Sequence, residues 1–451
     1  MPVADSPDRH PLAVILAARN WTAEQLLRRM AHRHQQLGFG GMAIRREKVS
    51  RWLGGTTPDR AAQRALADVL GIDAREVEQR GWPGWLRAAI DGDRILLESP
   101  WTPAGTVKVL AQIGGCVDRR HFMVTGGGAL AAVTAQWAAA TPACGIASSG
   151  QASRETITLL HARLDALRRL DDQVGAADIY DAAAAELRFI VRLLTNTSHG
   201  ERVGGALYGC AAEAARLAGW CAYDTGRHPT AEALFQAALR AAGSAGDDDS
   251  GAIVLAFWAN LRYAAASDAP GALDLLGGAL HPRMRISSPR VHALLHARRA
   301  RAYSVLGEPT AAYRAIDDAF TAYDEAPAAC DDLPQMYWIT AGELHQAAGS
   351  AALTLGEPRR ALEHFDAAVG ADEPYDPASE ARGAAIYLAR RAEAHLAMGD
   401  LDAAVAAAHD VVRLMGGVDS ARSTSTLEDL RRRLRAHRGV PVVADFLHET
   451  A

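Results

Sequence analysis

The sequence predicts an all-α protein: a small N-terminal helical bundle followed by an α-superhelix of stacked helical hairpins. Three observations carry this prediction. Alanine, the strongest helix former, supplies 95 of the 451 residues, while aromatic residues make up only 6%. Apolar residues recur at helical spacing from Leu26 to Leu70. Beyond residue 200 a pattern of small residues beside a bulky one returns five times. The length exceeds one compact domain, and 49% hydrophobic with 22% charged residues excludes wholesale disorder.

Three segments are expected: residues 1–75 as the N-terminal bundle, 76–150 as a Trp- and Pro-rich bridge, and 151–451 as the repeats. Charge follows this division. From Arg9 to Arg64, eleven basic residues face three acidic ones (Glu24, Glu47 and Asp59) for a net +8. The whole chain carries −5, so the remainder carries −13. A short cationic module on a long acidic body is the layout of a protein one part of which meets nucleic acid. Lys48 and Lys108 are the only lysines, a bias that fits a GC-rich genome better than any mechanism. Cys116, Cys144, Cys210, Cys221 and Cys330 form no C-x-x-C pair. They read as small buried hydrophobes in a reducing compartment, not as disulfides or zinc ligands.

In the N-terminal bundle, Thr22 with Gln25 three residues on is a capping box. Leu26, Leu27, Met30, Ala31 and Leu37 then form an apolar stripe, with Arg28, Arg29, His32 and Arg33 on or near the opposite face. Gly38, Gly40 and Gly41 end that helix. A second helix is expected from about Ile44 to Leu53, and Thr57 is expected to cap a third with Pro58 in its first turn. Ala62, Ala65, Leu66, Val69 and Leu70 supply the apolar face of the third. Within the middle helix Val49 and Trp52 anchor inward, which leaves Arg45, Arg46, Lys48, Ser50 and Arg51 to face outward. Arginine forks match O6 and N7 of guanine in the major groove of double-stranded DNA, so these are the candidate base contacts. Arg28, Arg29, Arg33, Arg60 and Arg64 are the candidate phosphate contacts.

The run Lys48-Val49-Ser50-Arg51-Trp52, with Gly55 and Pro58 behind it and then Leu66-Ala67 and Leu70-Gly71-Ile72, resembles the second half of a lambda-repressor-type (XRE) helix-turn-helix domain. The resemblance implies that the helix carrying Val49, Ser50 and Arg51 is the recognition helix. It also implies that the segment with Gly55 and Pro58 turns the chain after it. The connector from Leu37 to Ala43 is longer and richer in glycine than the tight turn of that family.

In the bridge, Gly81-Trp82-Pro83-Gly84-Trp85-Leu86 and Ser99-Pro100-Trp101-Thr102-Pro103 read as ordered loops fastened by aromatics. Asp118-Arg119-Arg120-His121-Phe122-Met123 has the form of a twin-arginine export motif. The uncharged run from Phe122 to Ala140 behind it is nominally long enough to span a bilayer. Glycine, threonine and alanine dominate that run, so a buried or interdomain helix is expected and no membrane partner. Asp5, Asp8, Arg9 and His10 interrupt any apolar stretch at the N-terminus; no signal peptide and a cytoplasmic location are expected.

The five repeat units are marked by Gly219, Gly226, Ala231, Phe235 and Ala238; by Tyr263, Ala272, Leu276 and Ala279; by Tyr303, Gly307, Ala312, Ile316 and Ala319; by Gly349, Gly356, Ala361, Phe365 and Ala368; and by Ala392, Gly399, Ala404 and Ala408. The intervals between marker alanines are 41, 40, 49 and 43 residues, longer than the ~34 of a regular tetratricopeptide repeat, so longer helices or loops are expected. Hairpins that cannot bury their own apolar faces must stack, and stacking gives a superhelix with a concave surface. Trp258, Asn260, Arg262, Tyr337 and Trp338 are the candidate groove residues. The whole layout resembles actinomycete-type helix-turn-helix regulators carrying tetratricopeptide repeats, and peptide-sensing regulators of Gram-positive bacteria. These resemblances imply a peptide or small-molecule effector in the groove and a homodimer presenting two DNA-binding heads.

With two lysines, neither in a G-x-x-x-x-G-K-[ST] context, no phosphate loop of that type is possible, and no H-E-x-x-H occurs. No catalysis, cofactor or metal site is expected. Asp247-Asp248-Asp249 reads as a solvated connector between repeats. The sequence thus leads to a DNA-binding transcriptional regulator. The alternative is a repeat scaffold whose basic N-terminal bundle docks on another protein.

Overall fold

A computed structural model describes residues 10–18, 21–70, 72, 74–87, 95–96, 99–115, 127–140, 142, 150–371, 381–415 and 421–450. Among these residues are 21 α-helices, and the only strands are the two-residue Gly150–Gln151 and Thr197–Ser198, paired in parallel. The fold is all-α. The Asp118–Met123 arginine motif, Cys116 and Cys144 lie outside the described residues.

The head contains α1 (Pro11–Ala18), α2 (Ala23–Gln36), α3 (Glu47–Leu53), α4 (Arg60–Leu70) and α5 (Ala74–Arg80). Thr22 and Gln25 close the expected capping box: Thr22 Oγ1 accepts from the Gln25 N–H at 3.2 Å, and Gln25 Oε1 accepts from the Thr22 N–H at 2.9 Å. Leu26, Leu27 and Met30 enter the core as the period predicts. Leu37 does not; it caps the C-terminus of α2 and is 38% exposed. His34 is buried in this last turn, and its Nδ1 donates to the Gly40 carbonyl at 2.8 Å, pinning the long connector. That connector absorbs Ile44 and Arg45, so α3 begins at Glu47, later than its apolar spacing suggested. Asp59, not Thr57, caps α4, its Oδ1 accepting from the Ala62 N–H at 2.7 Å. Ala62, Ala65, Leu66, Val69 and Leu70 are all buried. The core of the head also takes in Trp85 and Leu86, residues the sequence had placed in the bridge.

The body is a series of helix pairs, each helix packing on the next in the chain. They are Arg154–Val174 with Ala176–Asn196, Glu201–Asp224 with His228–Ala245, Asp248–Ala264 with Ala269–Ala279, Pro289–Leu306 with Pro309–Asp324, Ala341–Thr354 with Pro358–Val369, and Ala381–Ala397 with Leu401–Met415. Ala421–Leu434 and Pro441–Glu449 follow. Every marker alanine of the five units is buried, as are Phe235, Leu276, Ile316 and Phe365. Gly226, Gly307, Gly356 and Gly399 sit in the inter-helix turns at φ 75°, 73°, 80° and 80°. Gly219 and Gly349 serve a different purpose. A Cβ at Gly219 would stand 3.0 Å from the Phe235 ring, and one at Gly349 only 2.6 Å from the Phe365 ring, so their absence lets paired helices close.

From Leu96 on, the bridge is part of the body. Pro103–Gly115 and Gly127–Ala138 pack onto the repeats, and Leu130, Val133 and Trp137 join the main core. The Trp137 indole lies where a Cβ at Gly251 would be, 2.1 Å from the nearest ring carbon. The described part of the apolar run is therefore a helix buried along one face, through Leu130, Val133, Thr134 and Trp137, and among the described residues no helix is long and apolar enough to cross a membrane. Arg240, 1% exposed, anchors the segment ahead of it: its guanidinium donates to the carbonyls of Leu96 (2.9 Å), Ser99 (2.9 Å) and Pro100 (3.3 Å) and lies 4.5 Å from the Trp101 ring centre. Burial with only neutral acceptors pushes this guanidinium down to about 10.

Two further expectations are corrected. Asp247-Asp248-Asp249 is a clamp: Asp247 caps its helix through the Ser250 N–H at 2.9 Å, Asp248 accepts from the Arg285 N–H at 2.8 Å, and Asp249 accepts from the N–H groups of Ser287 (2.9 Å) and Ser288 (3.2 Å). Of the described cysteines, Cys210 and Cys221 are buried but Cys330 is exposed.

Candidate nucleic-acid interface and candidate ligand cavity

Helix α3 is short, and two side chains hold it to the head. Val49 and Trp52 point into the core at 2% and 6% exposure, while Arg45, Arg46, Glu47, Ser50 and Arg51 are exposed and Lys48 is half-buried. Burying an indole and an isopropyl group contributes several kcal/mol on the scale of ~1.5–3 kcal/mol per large apolar side chain, enough to hold so short a helix in place.

The ten expected DNA contacts divide by partner. Glu24 on α2 accepts from Arg28 through Oε1 at 2.7 Å and from Arg46 through Oε2, with Arg46 Nε at 3.2 Å. The hydrogen bonds from Arg46 and then Arg28 hold the Glu24 carboxyl below its usual range. Arg33 pairs with Asp68 of α4, and Arg29 lies 4.6 Å from the Trp21 ring centre. Arg45, Lys48, Arg51, Arg60 and Arg64 have no ion pair among the described residues, and Ser50 stands exposed beside them. Sequence reading missed that Glu24 joins α2 to the residue capping α3. The Glu24–Arg28 pair is legible as an i,i+4 spacing, but the Arg46 contact depends on how the connector folds back.

In the body, the first helices of successive pairs face a shared cavity of about 340 Å³. Arg168, Arg216, Asn260, Arg298, Glu343 and Tyr387 each come from a different one of them. Of the five groove candidates, Asn260, Tyr337 and Trp338 line this cavity. Trp258 and Arg262 do not. Being two residues from Asn260 they point to the opposite side of the helix, where Trp258 is fully buried and Arg262 donates to Glu232 (2.5 Å) and Asp268 (3.0 Å).

The lining is polar and strongly paired at one end. Arg216 makes two bonds to Glu213 (2.8 and 2.7 Å), and Arg168 donates to the same carboxylate at 2.7 Å and to Asp165 at 2.9 Å. Burial works against ionisation of Glu213, yet Arg216 and Arg168 outweigh it and hold the carboxyl at about 2. Tyr337 donates to Asp172, and burial followed by that carboxylate raises its phenol. Tyr387 donates to Glu343 Oε1 at 2.7 Å, and Tyr223 to Asn260 Oδ1 at 3.4 Å. Trp220, Phe257 and Trp338 form an edge-to-face series with centroid separations of 4.9 and 5.9 Å.

The arginines of this cavity escaped the sequence reading because 46 arginines give no contrast. Comparing the same face of each repeat's first helix would have drawn them out. Compared with known proteins, the chain matches no family model, no curated protein and no solved structure.

Proposed function

We propose that the protein is a DNA-binding transcriptional regulator, in which the head reads double-stranded DNA through α3 and the repeat body carries dimerisation, effector sensing or both. One observation carries the reading: α3 is fixed from beneath by Val49 and Trp52, while Arg45, Lys48 and Arg51, and Arg60 and Arg64 on α4, have no ion pair among the described residues. Unpaired guanidinium and ammonium groups on a rigid support are suited to phosphates and base edges. The net +8 of this segment against −13 elsewhere orients the head toward a polyanion and the body away from it. The resemblance of Lys48–Trp52, Gly55 and Pro58 to the lambda-repressor-type pattern supports the same reading.

Selection of bound fragments from the parent genome, followed by titration at rising salt, tests it. Arg51→Ala should cost about 1–3 kcal/mol on the selected site and relax base preference there, whereas Arg60→Ala should weaken all sequences alike and lower the salt slope by about 1. Absence of any preferred fragment, with binding unchanged in Arg51→Ala, would point instead to a scaffold whose cationic head docks on a protein.

A further inference from the structure

One end of the cavity gathers the guanidinium groups of Arg298, Arg301 and Arg390, and Arg301 has no carboxylate partner among the described residues. Among the described residues Arg301 donates only to neutral acceptors: the Ser350 carbonyl at 2.5 Å, the Thr354 hydroxyl at 3.0 Å and Ser304 Oγ at 3.2 Å. Burial, then the neighbouring charges of Arg390 and Arg298, push its guanidinium down to about 10, the signature of a cation lacking a counter-ion. Arg298, one turn earlier, donates to the Tyr263 hydroxyl at 3.4 Å, and its buried Nε has no acceptor. Burial works against its charge, yet Tyr263 and Glu343, which also accepts from Tyr387, outweigh it, so Arg298 has a counter-charge and Arg301 has none of its own. Arg390 lies 3.6 Å from Glu393, which it shares with Arg433 at 3.7 Å. Three cations therefore meet Glu343, a share of Glu393 and Asp429, which is itself paired with Arg432.

Like charges gathered in a partly dehydrated cavity repel, and the arrangement calls for an anion to complete it. Beside them the cavity has an aromatic wall. Trp338 lies 5.8 Å from the Arg298 guanidinium and continues into Phe257 and Trp220. The volume of about 340 Å³ is that of a small-molecule site.

We propose that this cavity binds a small organic acid with a flat apolar body, its carboxylate or phosphate held by Arg298 and Arg301 and its body lying against Trp338 and Phe257. The inference deepens the reading of the body as a sensor by naming the effector's chemistry. Binding itself does not depend on DNA recognition.

Calorimetric titration of the full chain, without DNA, tests it with 2-naphthoate, 2-naphthyl phosphate and the neutral 2-naphthylmethanol. At least one of the two acids should bind at least about tenfold more tightly than the alcohol, the difference expected of charge-assisted hydrogen bonds. The preferred group tells carboxylate from phosphate effectors. Arg301→Gln and, as a variant that keeps the charge and loses the fork, Arg301→Lys should each weaken acid binding while leaving the alcohol unaffected. Equal affinity for acid and alcohol, or no binding of either acid at millimolar concentration, overturns the proposal. These outcomes leave the DNA reading standing, because they are obtained without DNA.

Discussion

Glu24 restrains two cationic side chains at once, and its removal should make them available. Glu24→Gln keeps the shape of the side chain and frees Arg28 and Arg46 from their carboxylate. Exposed pairs of this kind are weak and screened by salt, so DNA binding should tighten only about two- to fivefold at low salt, with a steeper salt dependence. Anisotropy titrations at two salt concentrations check this; weaker binding would mean that Glu24 positions Arg46 instead of sequestering it. Glu213 makes the opposite case, a carboxylate on which the fold depends. Its folded value of about 2 lies below the ordinary 4.5, so its stabilisation is complete above pH ~4.5 and fades as pH falls toward 2. Glu213→Gln should cost about 3 kcal/mol near neutrality, since Arg216 and Arg168 lose their counter-charge and the amide nitrogen cannot accept from either guanidinium. In denaturant melts the gap between the two proteins should be constant above pH 5 and narrow below 4.5; a gap independent of pH would show that packing, not charge, is at stake. At this scale the sequence was legible where periodicity governs, as at Val49 and Trp52. It was not legible where a distant carboxylate decides which arginine is available, as Asp68 does for Arg33.

Helix pairing gives a sharper contrast between two glycines that look alike in the sequence. Gly349 and Gly277 both lie within helices, where alanine is ordinarily favoured by ~1 kcal/mol. At Gly349 an added methyl would stand 2.6 Å from the Phe365 ring and 3.0 Å from the Ala361 carbonyl oxygen, and Phe365, 1% exposed, has nowhere to move. Overpacking of ~1–3 kcal/mol then exceeds the propensity gain, so Gly349→Ala should destabilise by about 1 kcal/mol or more. Gly277 has nothing within 4 Å of its would-be Cβ, so Gly277→Ala should stabilise by ~0.5–1 kcal/mol. Chemical denaturation of the two variants checks the signs; the same sign in both would refute close approach as the reason for Gly349. The hairpins were legible because Gly349, Gly356, Ala361 and Phe365 repeat a spacing set by local packing. The seat of Gly127–Ala138 was not legible, because nothing near Trp137 in the sequence announces that its indole will rest on Gly251.

The head has a core of its own, and so do the C-terminal helices from Ala385 to Phe446, apart from the main core of the body. The head's ends at Leu86, and the body's main core begins at Leu96 and takes in no residue of the head. Cooperative unfolding follows shared burial, so two cores without common residues are expected to open as separate units. Composition and charge made this division legible, but the boundary lay beyond residue 75 because Trp85 reaches back to Gln63, its Nε1 donating to Oε1 at 3.2 Å. The division permits a test of how the parts depend on each other. Leu66 is fully buried in the head, and Leu66→Ala removes core volume at a cost of ~2–5 kcal/mol. Amide exchange should then lose protection across α2 and α4, while the Glu201–Asp224 and Asp248–Ala264 helices keep theirs. Binding of 2-naphthoate or 2-naphthyl phosphate in the body should likewise survive a melted head, while DNA binding is abolished. Loss of protection spread evenly over both parts would mean that head and body fold as one unit. Under the proposed reading, the two parts would need to be separately stable and coupled only by the differential affinity of each ligand for the states of the chain.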